Sequence, residues 1–133
     1  MVLVDTSVLI DYLRNRRNAK SELLDEVLAR QLPWGICDYV YQEILQEAKN
    51  LQEYDSLREY FETIPTYFPK FGKQSFERAA LLNVRCRAAG VTIRSTIDLL
   101  IAEIAIENDV GLLHNDSDFE NMKKVISELR MFE

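Results

Sequence analysis

Hydrophobic and polar positions along the chain fall into blocks that switch between a strand-like and a helix-like spacing. Val2, Leu3 and Val4 form an apolar run too short for a buried helix. Asp5-Thr6-Ser7 interrupts it, and Val8, Leu9, Tyr12 and Leu13 then recur at helical spacing. Met1 to Leu13 therefore predicts strand, turn and helix, with Asp5 at the strand's carboxyl end. Leu23, Leu24, Val27 and Leu28 predict a helix over Ala19 to Arg30, ended by Pro33. Trp34-Gly35-Ile36-Cys37 reads as a second core strand. Asp38 then stands as N-cap of a helix that turns Val40, Tyr41, Ile44, Leu45 and Ala48 inward, with Glu43 off that stripe. Leu51, Tyr54, Leu57 and Phe61 predict an amphipathic helix over Leu51 to Glu62. Ile64 to Phe68, broken by Pro65 and closed by Pro69, is an edge strand or loop.

Further on, a helix over Gln74 to Ala89 is expected to turn Phe76, Ala80, Leu81, Val84 and Ala88 inward, with Gly90 as its C-terminal cap. Ser95 or Thr96 opens the most apolar helix. Ile97, Leu100, Ile101, Ile104 and Ala105 form one face, and Leu99, Ala102 and Ile106 cover most of the remainder, so this helix is largely buried, with Asp98 in its first turn. Gly111-Leu112-Leu113-His114 predicts a core strand running into Asn115-Asp116-Ser117-Asp118, then a short helix near Phe119 to Val125 and a final strand near Leu129 to Phe132. Helices alternating with short apolar strands predict an α/β fold. A mainly parallel sheet of four to five short strands, flanked by helices, would form one domain over residues 1–133.

A chain of 133 residues with 47% hydrophobic content can bury a real core. Its 22 acidic against 16 basic side chains give a formal net charge of −6, the wrong sign for simple phosphate neutralisation, so any nucleic-acid role needs a local basic patch or a bridging cation. Cys37 and Cys86 sit far apart in apolar stretches and read as buried thiols. No stretch is long and apolar enough to span a membrane, and the start lacks the basic region of an export signal, so a cytoplasmic protein is expected.

Asp5 and Asp116 each follow a short strand, and Glu43 and Asp98 lie in the early turns of helices. In a parallel α/β sheet all four fall on the edge where ligands bind. Taken singly, Asp5 reads as a helix cap. Together, converging carboxylates repel one another unless a hard cation is present, and Mg²⁺ or Mn²⁺ takes such oxygen ligands. With no second nucleophile in view, the chemistry that suits the set is attack of cation-activated water on a phosphodiester. Arg14, Arg16, Arg17, Arg94, Lys123 and Lys124 are the basic candidates for holding the strand beside the cleft, set against the reading that each is a solvated surface charge. His114, the only histidine, reads as a packed residue at a strand end rather than a catalytic base.

VDTSVLIDYL at the start, YQEIL around Glu43, TIDLLIAEIA around Asp98 and LLHNDSDF near the end resemble, in this order, the PIN-domain nucleases and more narrowly the VapC toxins of toxin–antitoxin pairs. The resemblance spans essentially the whole chain. It implies a Mg²⁺- or Mn²⁺-dependent endoribonuclease with Asp5, Glu43, Asp98 and Asp116 as acidic site residues and Asp118 as a companion. It also implies a homodimer and a VapB-like antitoxin that occludes the cleft. On this reading Asp5 and Asp98 are the most direct ligands, Asp116 acts through water or on a second ion, and Glu43 orients the attacking water or also binds metal. Asp118 is either a ligand or the cap of the helix through Phe119. Thr6 and Ser7 either touch water or phosphate or serve the cap, and Arg94 and Arg14 are the substrate-binding candidates. Two other readings stand beside this one. One is a PIN-fold binding module that docks a protein partner. The other is a phosphotransfer domain, against which the absence of a second acid at Ser7, and of paired upstream acids with a late lysine, both speak.

Overall fold

In the computed structural model, which describes residues 1–133, the buried run Val2, Leu3 and Val4 forms β1 (Val2–Val4), the middle strand of a parallel sheet. Its neighbours are β2 (Trp34–Gly35) and β3 (Gly111–Leu113), in the order β2-β1-β3. Val2 lies opposite both Trp34 and Gly111, and Val4 opposite Leu113. Such strands are apolar on both sides because helices cover both faces. Those helices are α1 (Thr6–Leu13), α2 (Ala19–Ala29), α3 (Asp38–Gln46), α4 (Leu51–Glu62), α5 (Lys73–Ala88), α6 (Thr96–Glu107) and α7 (Ser117–Lys123).

The sheet has three strands rather than four or five. The two outer candidates each make a single parallel bridge, Thr66 beside Ile36 and Met131 beside Leu112. Pro65 explains the first: lacking an N–H it donates nothing, and only its carbonyl enters the ladder, accepting from Ile36 N at 3.0 Å. Gly35 makes that approach possible, since a Cβ there would lie 2.5 Å from Pro65 O.

Two local expectations are also revised. Asp38 is the first residue of α3, and the N-cap is Cys37, which makes no side-chain capping bond. On α5 the expected inward stripe faces solvent: Phe76, Leu81 and Val84 are 50%, 55% and 59% exposed, whereas Ser75, Ala79, Leu82 and Cys86 are buried. The helix is apolar on two opposite faces, and the smaller side chains of the second face pack closely on α6. Its end is as read: Gly90 takes φ 80°, Gly90 N donates to Arg87 O, and Val91 N donates to Cys86 O at 2.8 Å, a Schellman arrangement. Helix α6 is buried from Asp98 through Ala105, and both cysteines are buried free thiols.

Candidate functional site

β1 and β3 leave the sheet side by side, with Asp5 N donating to Leu113 O at 2.9 Å. Each then turns into a helix capped by an aspartate, Asp5 for α1 and Asp116 for α7. The two turns are bolted together by Ser7, whose Oγ donates to Asp5 Oδ2 (2.6 Å) and accepts from Asn115 N (2.9 Å). Both bonds that Asp5 accepts fall on Oδ2, the second coming from Ser7 N at 3.1 Å. Capping therefore occupies one oxygen of Asp5 and leaves Oδ1 uncommitted. Asp98 enters from the first turn of α6, opened by Ser95, and its carboxylate accepts no hydrogen bond; Ser95 Oγ takes only the backbone N–H of Asp98, at 3.4 Å.

Asp98, Asp116 and Asp118 each offer an oxygen within 4.8 Å of the others. Asp5 and Glu43 border the same cleft: Glu43 Oε1 accepts from Thr6, the residue after Asp5, and the charges of both act on Asp98. Burial first, then the charges of Asp5, Asp116, Asp118 and Glu43, push the Asp98 carboxyl up to about 7. Asp5 is also raised: burial outweighs the two bonds from Ser7, and Glu43 and Asp116 add to it. Arg94 supplies a counter-charge to Asp118 alone, and the oxygens of Asp5, Asp98 and Asp116, gathered without one, suit a hard cation.

Several sequence candidates turn out to serve the frame of the cleft. Thr6, 8% exposed, donates from Oγ1 to Glu43 Oε1 at 2.8 Å, so the hydroxyl protons of Thr6 and Ser7 are both given to acids of the cleft. Asp118 does not cap α7, since Asp116 does, accepting from Asp118 N at 2.9 Å. Asp118 instead bonds Arg94, through Arg94 Nε to Oδ1 and Arg94 N to Oδ2, both at 3.2 Å. Arg14 faces Glu47 at 3.9 Å, Arg16 pairs with Asp11, and Arg17 pairs with Asp25. Lys123 Nζ is spent on the carbonyl of Leu129 at 2.6 Å and Lys124 on Asn121. His114 is 1% exposed; its Nδ1 accepts from Asp116 N at 3.1 Å and its Nε2 faces Glu120 Oε1 at 3.3 Å. Burial lowers its pKa below the ordinary histidine value, consistent with a neutral, packed ring. The pairings of Thr6 with Glu43 and of Arg94 with Asp118 have no signature in the sequence, as each joins elements whose approach only the tertiary fold decides.

The PIN domain pattern matches residues 2–125. This chain belongs to the PIN-domain family. Within it the chain is of the VapC ribonuclease type. It is 30% identical over 129 residues to ribonuclease VapC11 of Mycobacterium tuberculosis, covering 94% of this chain and 93% of that one, and equally to the VapC ribonuclease Mb1587 of Mycobacterium bovis. The fold is shared with the crystal structure of VapBC2 from Rickettsia felis bound to a DNA fragment from their promoter, with a TM-score of 0.72 at 19% identity over 99% of this chain and 98% of that one. It is shared also with FitAcB from Neisseria gonorrhoeae, at 0.70 and 18% over 100% and 97%. As a VapC-type PIN protein the chain is a nuclease of the hydrolase class, and no helix in it is long and apolar enough to cross a membrane.

Proposed function

We propose that this VapC-type protein is a Mg²⁺- or Mn²⁺-dependent endoribonuclease and the toxin of a type II toxin–antitoxin pair. The observation that carries the reading is the convergence of Asp5, Asp98 and Asp116 from three helix starts, and of Glu43 from the second turn of α3, into one cleft, with the Asp98 carboxyl up to about 7. Asp98 and Asp116, whose oxygens lie within 4.8 Å of each other and of Asp118, would hold the cation, with the free Oδ1 of Asp5 completing the set. When bound, the cation supplies a lowered pKa for water and a counter-charge for the phosphate oxygens. Glu43, held by Thr6, orients the attacking water and accepts its proton. Ser7 keeps the β1 and β3 turns in register, and so keeps Asp5 and Asp116 at a fixed separation. The test is cleavage of single-stranded RNA with Mg²⁺, Mn²⁺ or EDTA: cleavage that requires the cation and is lost in Asp98→Asn supports the reading, and equal cleavage in EDTA refutes it.

The partners belong to the same proposal. The Rickettsia felis neighbour is a VapBC structure by its name, which supports a VapB-like antitoxin here. An apolar groove of about 360 Å³, lined by Leu9, Tyr12, Leu24, Trp34, Leu57 and Tyr60, lies between α1, α2 and α4 and suits an amphipathic segment of that antitoxin. The homodimer is assigned to the outward face of α5. Phe76 and Ala88, like Ala80 and Val84, lie symmetrically about position 82, so an antiparallel second copy sets large side chains against small ones.

A further inference from the structure

Asp118 differs from the other acids of the cleft in having its charge already answered. Arg94 Nε donates to Oδ1 and Arg94 N to Oδ2. By contrast the Asp98 carboxylate accepts nothing, and Asp116 accepts only the N–H of Asp118. An Asp118 oxygen lies within 4.8 Å of oxygens of Asp98 and Asp116, but ligation there would compete with a bond from Arg94, a cost that the uncommitted oxygens of Asp98 do not carry. The Asp118 side chain is 4% exposed while that of Arg94 is 71% exposed, so the pair joins a buried anchor to an open cation. Arg94 Nη2 is steadied by Ser117 Oγ at 3.0 Å, and no protein group takes Nη1. Arg94 is therefore fixed at its Nε edge and open at its outer edge, on the segment leading directly into the Asp98 helix.

Resting on the endoribonuclease reading above, we infer that Asp118 is a positioning residue rather than a cation ligand, and that it holds Arg94 at the mouth of the acidic cleft to take a phosphate of the RNA strand beside the scissile one. Arginine fits that role because its planar fork matches two phosphate oxygens at once and stays charged at every relevant pH. The surrounding charge makes the role necessary. The chain carries a net charge of −6, and while Arg14, Arg16, Arg17, Lys123 and Lys124 are tied to groups outside the cleft, Arg94 is tied to one of its acids. A polyanion reaching the cleft meets few other fixed cations. Reading a phosphate rather than a base, Arg94 acts on every RNA sequence alike.

Two binding measurements test this, neither requiring turnover. Mn²⁺ affinity is measured by calorimetric titration without RNA, for wild type, Asp98→Asn, Asp118→Asn, Arg94→Ala and Arg94→Lys. Affinity for a fluorescein-labelled, mixed-sequence single-stranded oligoribonucleotide is measured by anisotropy in the non-cleaving Asp98→Asn background, across salt concentrations. Arg94→Ala and Asp118→Asn should each weaken RNA binding on the order of tenfold and lower the salt slope by about one. Their combination should do no more than either alone, because they act as one unit. Arg94→Lys should recover part of the affinity, and Mn²⁺ affinity should stay within about twofold of wild type in Asp118→Asn while Asp98→Asn loses it. Should Asp118→Asn lose Mn²⁺ as completely as Asp98→Asn, Asp118 is a ligand and the assignment fails. Unchanged RNA affinity and salt slope in Arg94→Ala also overturn it, and that variant decides the matter if Asp118→Asn does not fold. A wild type that binds Mn²⁺ while Arg94→Ala has no effect on RNA binding sinks this inference alone; a wild type that binds no Mn²⁺, together with an Asp98→Asn parent that binds no RNA, sinks the nuclease reading with it.

Discussion

Thr6 Oγ1 and Glu43 Oε1, 37 residues apart in sequence, are joined by a 2.8 Å hydrogen bond that fixes the start of α1 against α3. A hydrogen bond to a charged group contributes about 1.5–3 kcal/mol, and it orients Glu43 as well as stabilising the fold. Thr6→Val, of nearly the same shape, is expected to lower kcat on the order of tenfold or more and the melting temperature by a few degrees, and Thr6→Ser to restore both. Steady-state kinetics on an RNA substrate beside a thermal melt check this.

Asp98 contributes a pH dependence to the stability of the metal-free protein. Its folded pKa of about 7 lies above its ordinary 3.8, so between those values the native state binds more protons than the unfolded chain. The stability that Asp98 contributes then falls as pH rises through that window, and its loss levels off above it. Because the Asp98 carboxylate accepts no hydrogen bond, Asp98→Asn loses no bond and is expected to melt higher than wild type without metal at neutral pH, on the order of 1–4 kcal/mol. Mn²⁺ must displace the same proton, so the melting rise it gives wild type should grow between about pH 5.5 and about pH 8. Calorimetric melts with EDTA and with Mn²⁺ measure both.

A second buried acid, unrelated to the cleft, is separable from it. Glu103 on α6 is 4% exposed, and burial first, then its bond to and the charge of Glu107, raise it to about 8. Burial also acts upward on Glu107, but bonds from Glu103, Lys70 N and Ser75 pull it below the ordinary value. The two share one proton at neutral pH. Glu103→Gln should match wild type near pH 4.5 and exceed its stability by a margin that grows with pH and levels off above about 8, read from melts across that range.

Val84 lies at the middle of the outward face of α5 and is 59% exposed. If that face joins two copies about a two-fold axis, Val84→Glu buries an unpaired carboxylate on each side of it. The expected outcome is a monomer by light scattering, against a dimer for wild type, with the melting temperature changed only by the loss of the dimer. A dimer that survives the substitution removes α5 as the interface.

The frame of the site was legible where short-range rules decide. A three-residue apolar strand followed by Asp-Thr-Ser can do little but end a strand and cap a helix, and the Asp5 and Asp116 caps repeat that pattern at both ends of the chain. The inner face of α5 was not legible, since apolar residues occupy both sides and packing on α6 selects the smaller set, Ser75, Ala79, Leu82 and Cys86. Pairing partners were hidden for the same reason. Nothing near Asp118 announces Arg94, 24 residues away, and nothing near Arg14, Arg16 or Lys123 announces the acids and carbonyls that engage them. The burial of Glu103 did carry a signal, a single glutamate within an otherwise apolar helical turn.

The claim that carries the account is that oxygens of Asp5, Asp98 and Asp116 together hold a divalent cation. A crystal soaked in Mn²⁺ and measured at the manganese edge tests it directly. The account predicts an anomalous peak bounded by these three carboxylates, absent from an Asp98→Asn crystal treated identically. No peak between them, at a Mn²⁺ concentration that supports RNA cleavage in solution, would contradict it.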